Sequence, residues 1–227
     1  MNPVYPSLYI FAAYPLPTRL LILAVLNTSK SQQEDIGMNQ DYIADREFEG
    51  EDFKSYDLSG KEFEACSFKD CIFAECTLTG TRFTECRFES CDLSLARLQG
   101  TSLKEVSMNE CKLLGTNFER CNPFLLSIHF SGCPLDHCSF FKLDLRKFEF
   151  HRCSLRETDF SECNGSEVDF DRCNLDRARF DRTNLQKADF RTAYNFSIDP
   201  EANRLAGARF TLEGLPGLLD KYGIRVG

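Results

Sequence analysis

The sequence has no tryptophan, three histidines and three methionines in 227 residues. The histidines, His129, His137 and His151, stand apart from one another. They assemble no Ser/His/Asp pattern, and no Walker loop or GxGxxG run is present, so catalysis and nucleotide chemistry lose their usual starting points. Twelve cysteines contain no CxxC pair, which removes the common zinc spacing. No metal or cofactor is expected. There is no excess of base either: the formal net charge is −8, which argues against direct binding to nucleic acid phosphates. A long apolar run is also missing. Residues 8–26 are broken by Pro15, Pro17 and Arg19, so they lack the roughly 20 unbroken apolar residues of a membrane span. No basic stretch precedes them, as a secretory signal requires.

Met38 is our expected start. Gln33-Glu34-Asp35 can be encoded CAG-GAG-GAT, which places an AGGAGG ribosome-binding sequence shortly upstream of a methionine codon. Residues 1–37 are accordingly expected to be an extension that is disordered or untranslated. The fold is sought in 38–210, with a terminal segment over 211–227.

What is present in excess is phenylalanine, at 21 residues, and its placement is periodic. From Phe48 an apolar residue recurs every five positions: Phe48, Phe53, Leu58, Phe63, Phe68, Phe73, Leu78, Phe83, Phe88 and on to Phe118. The register then slips by two residues around Cys121-Asn122-Pro123. It resumes at Phe130 and runs to Phe190. Of 28 such centres, all but Met108 and Gly165 are Phe or Leu. The position two residues before each centre is mostly Cys, Thr or Ala, and every cysteine falls in that slot. A period of five matches neither a helix nor a simple strand. It matches a chain that turns a corner every five residues, with one large and one small side chain pointing inward at each step.

The cysteines therefore read as stacked small apolar groups. If four repeats make a coil, as in the pentapeptide-repeat family that these five-residue steps resemble, Cys71, Cys91 and Cys111 should share one wall, and so should Cys133, Cys153 and Cys173. A cytoplasmic setting would keep them reduced. Gly165 removes one side chain from the inner stack, so Asn164-Gly165 is expected to form a bulge or bend. Pro123 lacks a ladder donor and suits a short loop. Thr211 to Tyr222 reads as a short helix with Leu215, Leu218 and Leu219 on one side, stopped at Gly223. These leucines would cap the last coil or form a dimer contact.

The charge is uneven. Residues 38–120 carry a net −7 and residues 121–227 a net −1. On the wall of Phe48, Phe68, Phe88 and Met108, the outward acids include Glu47, Glu49, Asp70, Glu89 and Glu110, interrupted by Lys69 and Arg87. This acidic stripe is the candidate partner-binding face; an ordinary solvated face is the competing reading.

The segments Ala178-Arg179-Phe180-Asp181-Arg182 and Ala188-Asp189-Phe190-Arg191-Thr192 resemble the A-(D/N)-L-x-x consensus of the pentapeptide-repeat family, over about residues 46–192. The resemblance implies an all-β fold: a right-handed quadrilateral β-helix with four repeats per coil and a short C-terminal capping helix. Twenty-eight centres would give seven coils, a rod roughly 34 Å long at about 4.8 Å per coil. The repeat length, two-part register and terminal segment look like the Qnr and MfpA group of quinolone-resistance proteins. That likeness implies a non-catalytic protein that imitates duplex DNA and occupies the DNA-binding saddle of DNA gyrase or topoisomerase IV. It also implies a homodimer joined at the C-terminal end. Duplex DNA of that length carries about 20 charges, so an imitation by this chain would be coarse or confined to its acidic first half. The alternatives are a general protein-interaction scaffold with an unrelated partner, and self-immunity to a topoisomerase-poisoning toxin.

Overall fold

The computed structural model describes residues 39–124 and 126–224. The extension 1–37, and with it the reading of Met38 as the start, lies outside the described residues. The chain winds into a four-sided parallel β-solenoid. Two walls carry regular strands. One is the sheet Tyr42–Ala44, Glu62–Glu64, Arg82–Thr84 and Ser102–Lys104. The other begins at Glu47–Glu49 and stacks Ser67–Lys69, Arg87–Glu89, Val106–Asn109, Ile128–Ser131, Phe148–His151 and Phe170–Asp171. The remaining walls are joined by single bridges such as Asp52↔Ile72 and Ser139↔Asp159. Every pairing is parallel, and outside the slip each joins residues twenty apart.

The local cause is the five-residue step. The centre and the small residue point inward and the chain bends between them. The corner residue two places after most centres has positive φ, as at Asp70, Glu85 and Glu110. That region is costly for residues other than glycine, and stacking offsets the cost: each corner N–H donates to the next coil, as Asp70 N does to the Glu89 carbonyl at 2.9 Å.

The core is a column of rings. Phe68 stacks on Phe48 at 5.1 Å and on Phe88 at 4.7 Å, and meets Phe53, Phe63, Phe73 and Phe83 edge-on. Such offset and edge contacts add to the gain from burial itself. The small slot has a second task. Thr81 Oγ1 donates to the Leu58 carbonyl at 2.7 Å and Thr101 Oγ1 to Leu78 at 2.6 Å. Cys91 Sγ does the same to Phe68 at 3.3 Å. A buried group that is small and can donate to an inward-facing carbonyl belongs there, which is why Cys and Thr alternate in it.

Four expectations are revised. The inner column also holds Ile43, and Leu126 inside the slip; both are buried. The sequence pattern missed Leu126 because the two extra residues displace it from the period. The thiols of Cys71, Cys91, Cys111, Cys133, Cys153 and Cys173 form one ladder rather than two, because the slip spaces Cys111 and Cys133 by one coil; each is free and buried. Gly165 makes no bulge. Its N–H bonds Asn184 O at 2.8 Å in normal register, and Leu185 and Val168 close over the missing side chain, 3.2 and 3.6 Å from where a Cβ would lie. The terminal helix takes the form of two 3-10 turns, Leu215–Leu218 and Asp220–Tyr222. Gly214 and Gly217 lie so close to the buried Phe196 that a Cβ on either would clash with it, and Gly217 O accepts from Ile198 N at 2.9 Å.

Candidate interaction surface

With the inside filled by rings, only outward and corner side chains can meet another molecule. The slip is the one break in this regular skin. Asn122 Oδ1 accepts from Phe124 N at 3.0 Å, and Phe124 is exposed beside Pro123. Among the described residues no group of His, Cys, Asp or Glu is arranged to hold a metal ion, and no helix is long and apolar enough to cross a membrane.

The outer charges obey one geometric rule: residues twenty apart lie side by side on successive coils. Beyond the slip this brings acid to base repeatedly. Glu162 sits between Arg182 at 2.8 Å and Lys142 at 3.4 Å. Glu157 sits between Arg177 at 3.3 Å and His137 at 3.5 Å. Asp159 meets Arg179, Glu167 meets Lys187, and Asp189 holds both Arg191 and Arg209. His129 pairs with Glu149 and His151 with Asp171, so none of the three histidines forms a site with another. The Arg182 hydrogen bond holds the Glu162 carboxyl below the usual range, and Arg191 does the same for Asp189. Asp169 is pushed the other way, by burial and by its neighbours Asp189 and Asp171.

Before the slip the same rule leaves acids uncompensated. Among the predicted site residues, Glu47, Glu49, Asp70, Glu89 and Glu110 are all exposed. Glu47, Glu49 and Glu89 lie on strands of the Phe48 wall, and Asp70 and Glu110 at its corner. Glu49 is engaged by Lys69 at 2.8 Å, whose hydrogen bond holds its carboxyl low. The other four make no ion pair among the described residues. The structure adds Asp45, Glu85 and Glu105 at the preceding corner, stacked in one column with only Ala65 between them; together with Arg46 and Arg87 they line a shallow groove. Single-wall reasoning from sequence missed this column, although its twenty-residue spacing was available. At the far end Leu215 is exposed, whereas Leu218 and Leu219 are half-buried.

All twelve thiols are free and buried, so none is presented on the outer surface. Burial pushes Cys76 up to about 11 and Cys138 and Cys163 up to about 12. Within the ladder, Cys111 and Cys153 are held up because their thiols donate to Cys133, and the same bonds hold Cys133 down; Cys91 is held down likewise by Cys111 and Cys71.

A family model described as a pentapeptide repeat region matches residues 81–160, and a second, of pentapeptide repeats in eight copies, matches 166–193. The chain carries pentapeptide repeats over these residues. No curated protein matches its sequence significantly. Among solved structures it is similar to trypsin-treated QnrB1, a plasmid-mediated fluoroquinolone resistance protein, at 20% identity and a TM-score of 0.54, covering 82% of this chain and all of that one. It is equally similar to HetL, a pentapeptide-repeat protein involved in heterocyst differentiation regulation in the cyanobacterium Nostoc sp. strain PCC 7120. That match has 17% identity and a TM-score of 0.53, over 84% of this chain and 94% of HetL. At these identities the likeness is one of fold.

Proposed function

We propose that this pentapeptide-repeat protein is a non-catalytic binding module whose acidic half, before the slip, docks in a basic groove of a protein partner. The observation that carries this reading is the column of unpaired acids on a rod whose other half neutralises its own. A stack of like charges repels itself, and a cationic partner removes that cost. Among the described residues the core is filled by rings, and the grooves on the walls, such as the one lined by Asp45, Glu85 and Glu105, are open to solvent.

The partner we favour is a type II topoisomerase, DNA gyrase or topoisomerase IV, with the rod imitating duplex DNA and modulating quinolone susceptibility. The fold shared with QnrB1 supports it, and so does the regular rise of the acids. The test is DNA supercoiling by gyrase, with and without ciprofloxacin. We expect micromolar protein to inhibit supercoiling or to shift the ciprofloxacin response; no effect on either removes this partner.

The second reading is a regulatory scaffold with an unrelated partner, favoured by the equal likeness to HetL. Affinity capture from the source cell separates the two by whether topoisomerase subunits are recovered and are released by salt. We further propose a cytoplasmic protein, since twelve free thiols suit a reducing compartment. We also propose a homodimer through Leu215, Leu218 and Leu219. Sedimentation of Leu215→Glu, expected to be monomeric where the parent is dimeric, tests that contact.

A further inference from the structure

The wall built on Phe53, Phe73, Leu93 and Leu113 differs from the rest of the acidic half. Its outer surface carries Ile72, Leu95 and Leu114, which are 38%, 57% and 41% exposed. Leu95 N bonds Leu114 O at 3.0 Å, so the two leucines lie on adjoining columns. Small residues, Ala74 and Ser94, stand between them and Ile72, leaving the strip low and open.

Leu95 is unfavourable here twice over. It exposes a large apolar side chain on a corner, and it does so at φ 56°, where a leucine is strained. Among the described residues it is the only aliphatic larger than alanine at a positive-φ corner. Elsewhere these corners hold charged residues, glycine or other small or polar groups. The next residue up its column is Gly115, and a Cβ there would lie 2.9 Å from Leu95 Cδ2. The glycine thus gives the leucine room to lie flat along the wall. The corner conformation itself belongs to the fold, as at Asp70, Glu85 and Glu110, but a large apolar side chain left exposed on it has no benefit to folding and marks a contact surface.

The rim says what would be held. Glu75 lies directly below Leu95 in its column, Asp92 stacks on Ile72 with Lys112 above it, and Asp70 and Glu110 occupy the corner on the other side of the wall; Arg97 is the other base nearby in the chain. The surrounding half is net acidic, so a second copy of this half would be repelled. We propose that Ile72, Leu95 and Leu114 form an apolar foothold for a protein segment that presents a leucine-like side chain flanked by lysine or arginine. The proposal rests on the reading of the outer walls as a partner-binding surface, and not on the partner's being a topoisomerase. An exposed strip rimmed by acids would give binding a component that salt does not screen, which a purely electrostatic imitation of DNA lacks.

The probes are two short helical peptides of equal positive charge, one of alternating leucine and lysine faces, the other with every leucine replaced by alanine. Their affinities for the full chain are measured by fluorescence anisotropy at about 0.15 M salt. The leucine peptide is expected to bind at least about tenfold more tightly than the alanine peptide. Leu95→Ser with Leu114→Ser should bring the two peptides level, while Glu85→Lys with Glu105→Lys, on another corner, should weaken both and preserve their ratio. Leu95→Gly supplies a control for folding: it should raise the melting temperature by relieving the corner and still lose the preference. A ratio near one for the parent chain overturns the proposal. So does a ratio that survives the double serine change, since the peptide is then held elsewhere, as does self-association of the parent that Leu95→Ser abolishes. A chain that keeps the preference but leaves gyrase untouched sinks the topoisomerase reading alone. One that inhibits gyrase without any preference sinks the foothold alone.

Discussion

Residues 42–120 and 128–210 wind on the same tube, with the same stacked rings and the same left-handed corners, but their skins follow opposite rules. Past the slip, most acids meet a base one coil away, and the charge is nearly cancelled in place. Before it, Lys61–Asp41, Lys69–Glu49, Arg82–Glu62 and Arg120–Glu119 are exceptions on a surface where Asp70, Glu85, Glu89, Glu105 and Glu110 make no ion pair among the described residues. The interior therefore says nothing about which half binds. Ring stacking and thiol or hydroxyl bonding set the fold throughout, while the choice of charge at twenty-residue spacing divides a self-satisfied half from one that needs another molecule.

If that division is confined to the skin, cutting the core must hurt both halves alike. Phe68→Ala and Phe160→Ala each remove a ring flanked by stacked and edge-on neighbours. Each should cost about 3–5 kcal/mol in denaturant unfolding. A large disparity would show that the halves differ inside as well. The same comparison at finer scale uses Thr101→Val and Thr183→Val, which strip the donors to Leu78 O and Phe160 O; about 1–3 kcal/mol is expected from each, for the carbonyl left unpaired.

Acid should then separate the halves. Asp144, Glu162, Asp171 and Asp189 have carboxyls held low by Arg146, Arg182, Thr192 and Arg191 respectively, as the first cause in each case. A carboxyl with a depressed folded pKa stabilises above its unfolded value of about 4, and that contribution is lost as pH falls through the lower folded value. Hydrogen exchange followed from pH 6 to pH 3 should show the second half losing protection more than the first, where Glu49 and Asp57 are the carboxyls held low before the slip. The smallest effect concerns single charges. Arg182→Glu should lower the melting temperature slightly, and Glu85→Lys should raise it slightly. Both changes should shrink in high salt; equal signs would mean that the acids of the first half are already neutralised.

Much of this was legible in the sequence because the period is so strict. Phe48 to Phe190 and the small slot before each define the tube and the burial of all twelve cysteines, and the resemblance to pentapeptide repeats adds the four walls. Periodicity carries no information where it lapses. Leu126 was hidden because two inserted residues shift it off the count, and the thiol ladder looked divided for the same reason. Gly165 suggested a bulge because a missing side chain is visible in sequence, whereas the neighbours that fill its place, Leu185 and Val168, are not. The acidic wall was read one strand row at a time, so the corner column Asp45, Glu85 and Glu105 was overlooked. Leu95 drew no notice because its cost lies in a backbone angle, which no residue pattern reports.

The bonds from threonine and cysteine slots to a carbonyl twenty-three residues earlier, as at Thr81, Thr101 and Thr183, impose a rule of growth on the molecule. A segment of twenty residues inserted or removed anywhere along the walls restores every donor to an acceptor and every ring to a ring, whereas five or ten would send each partner to a different wall. The length of this tube is thus a quantity that tandem duplication can lengthen or trim in whole coils, and the number of acids offered in a row follows as a matter of copy number.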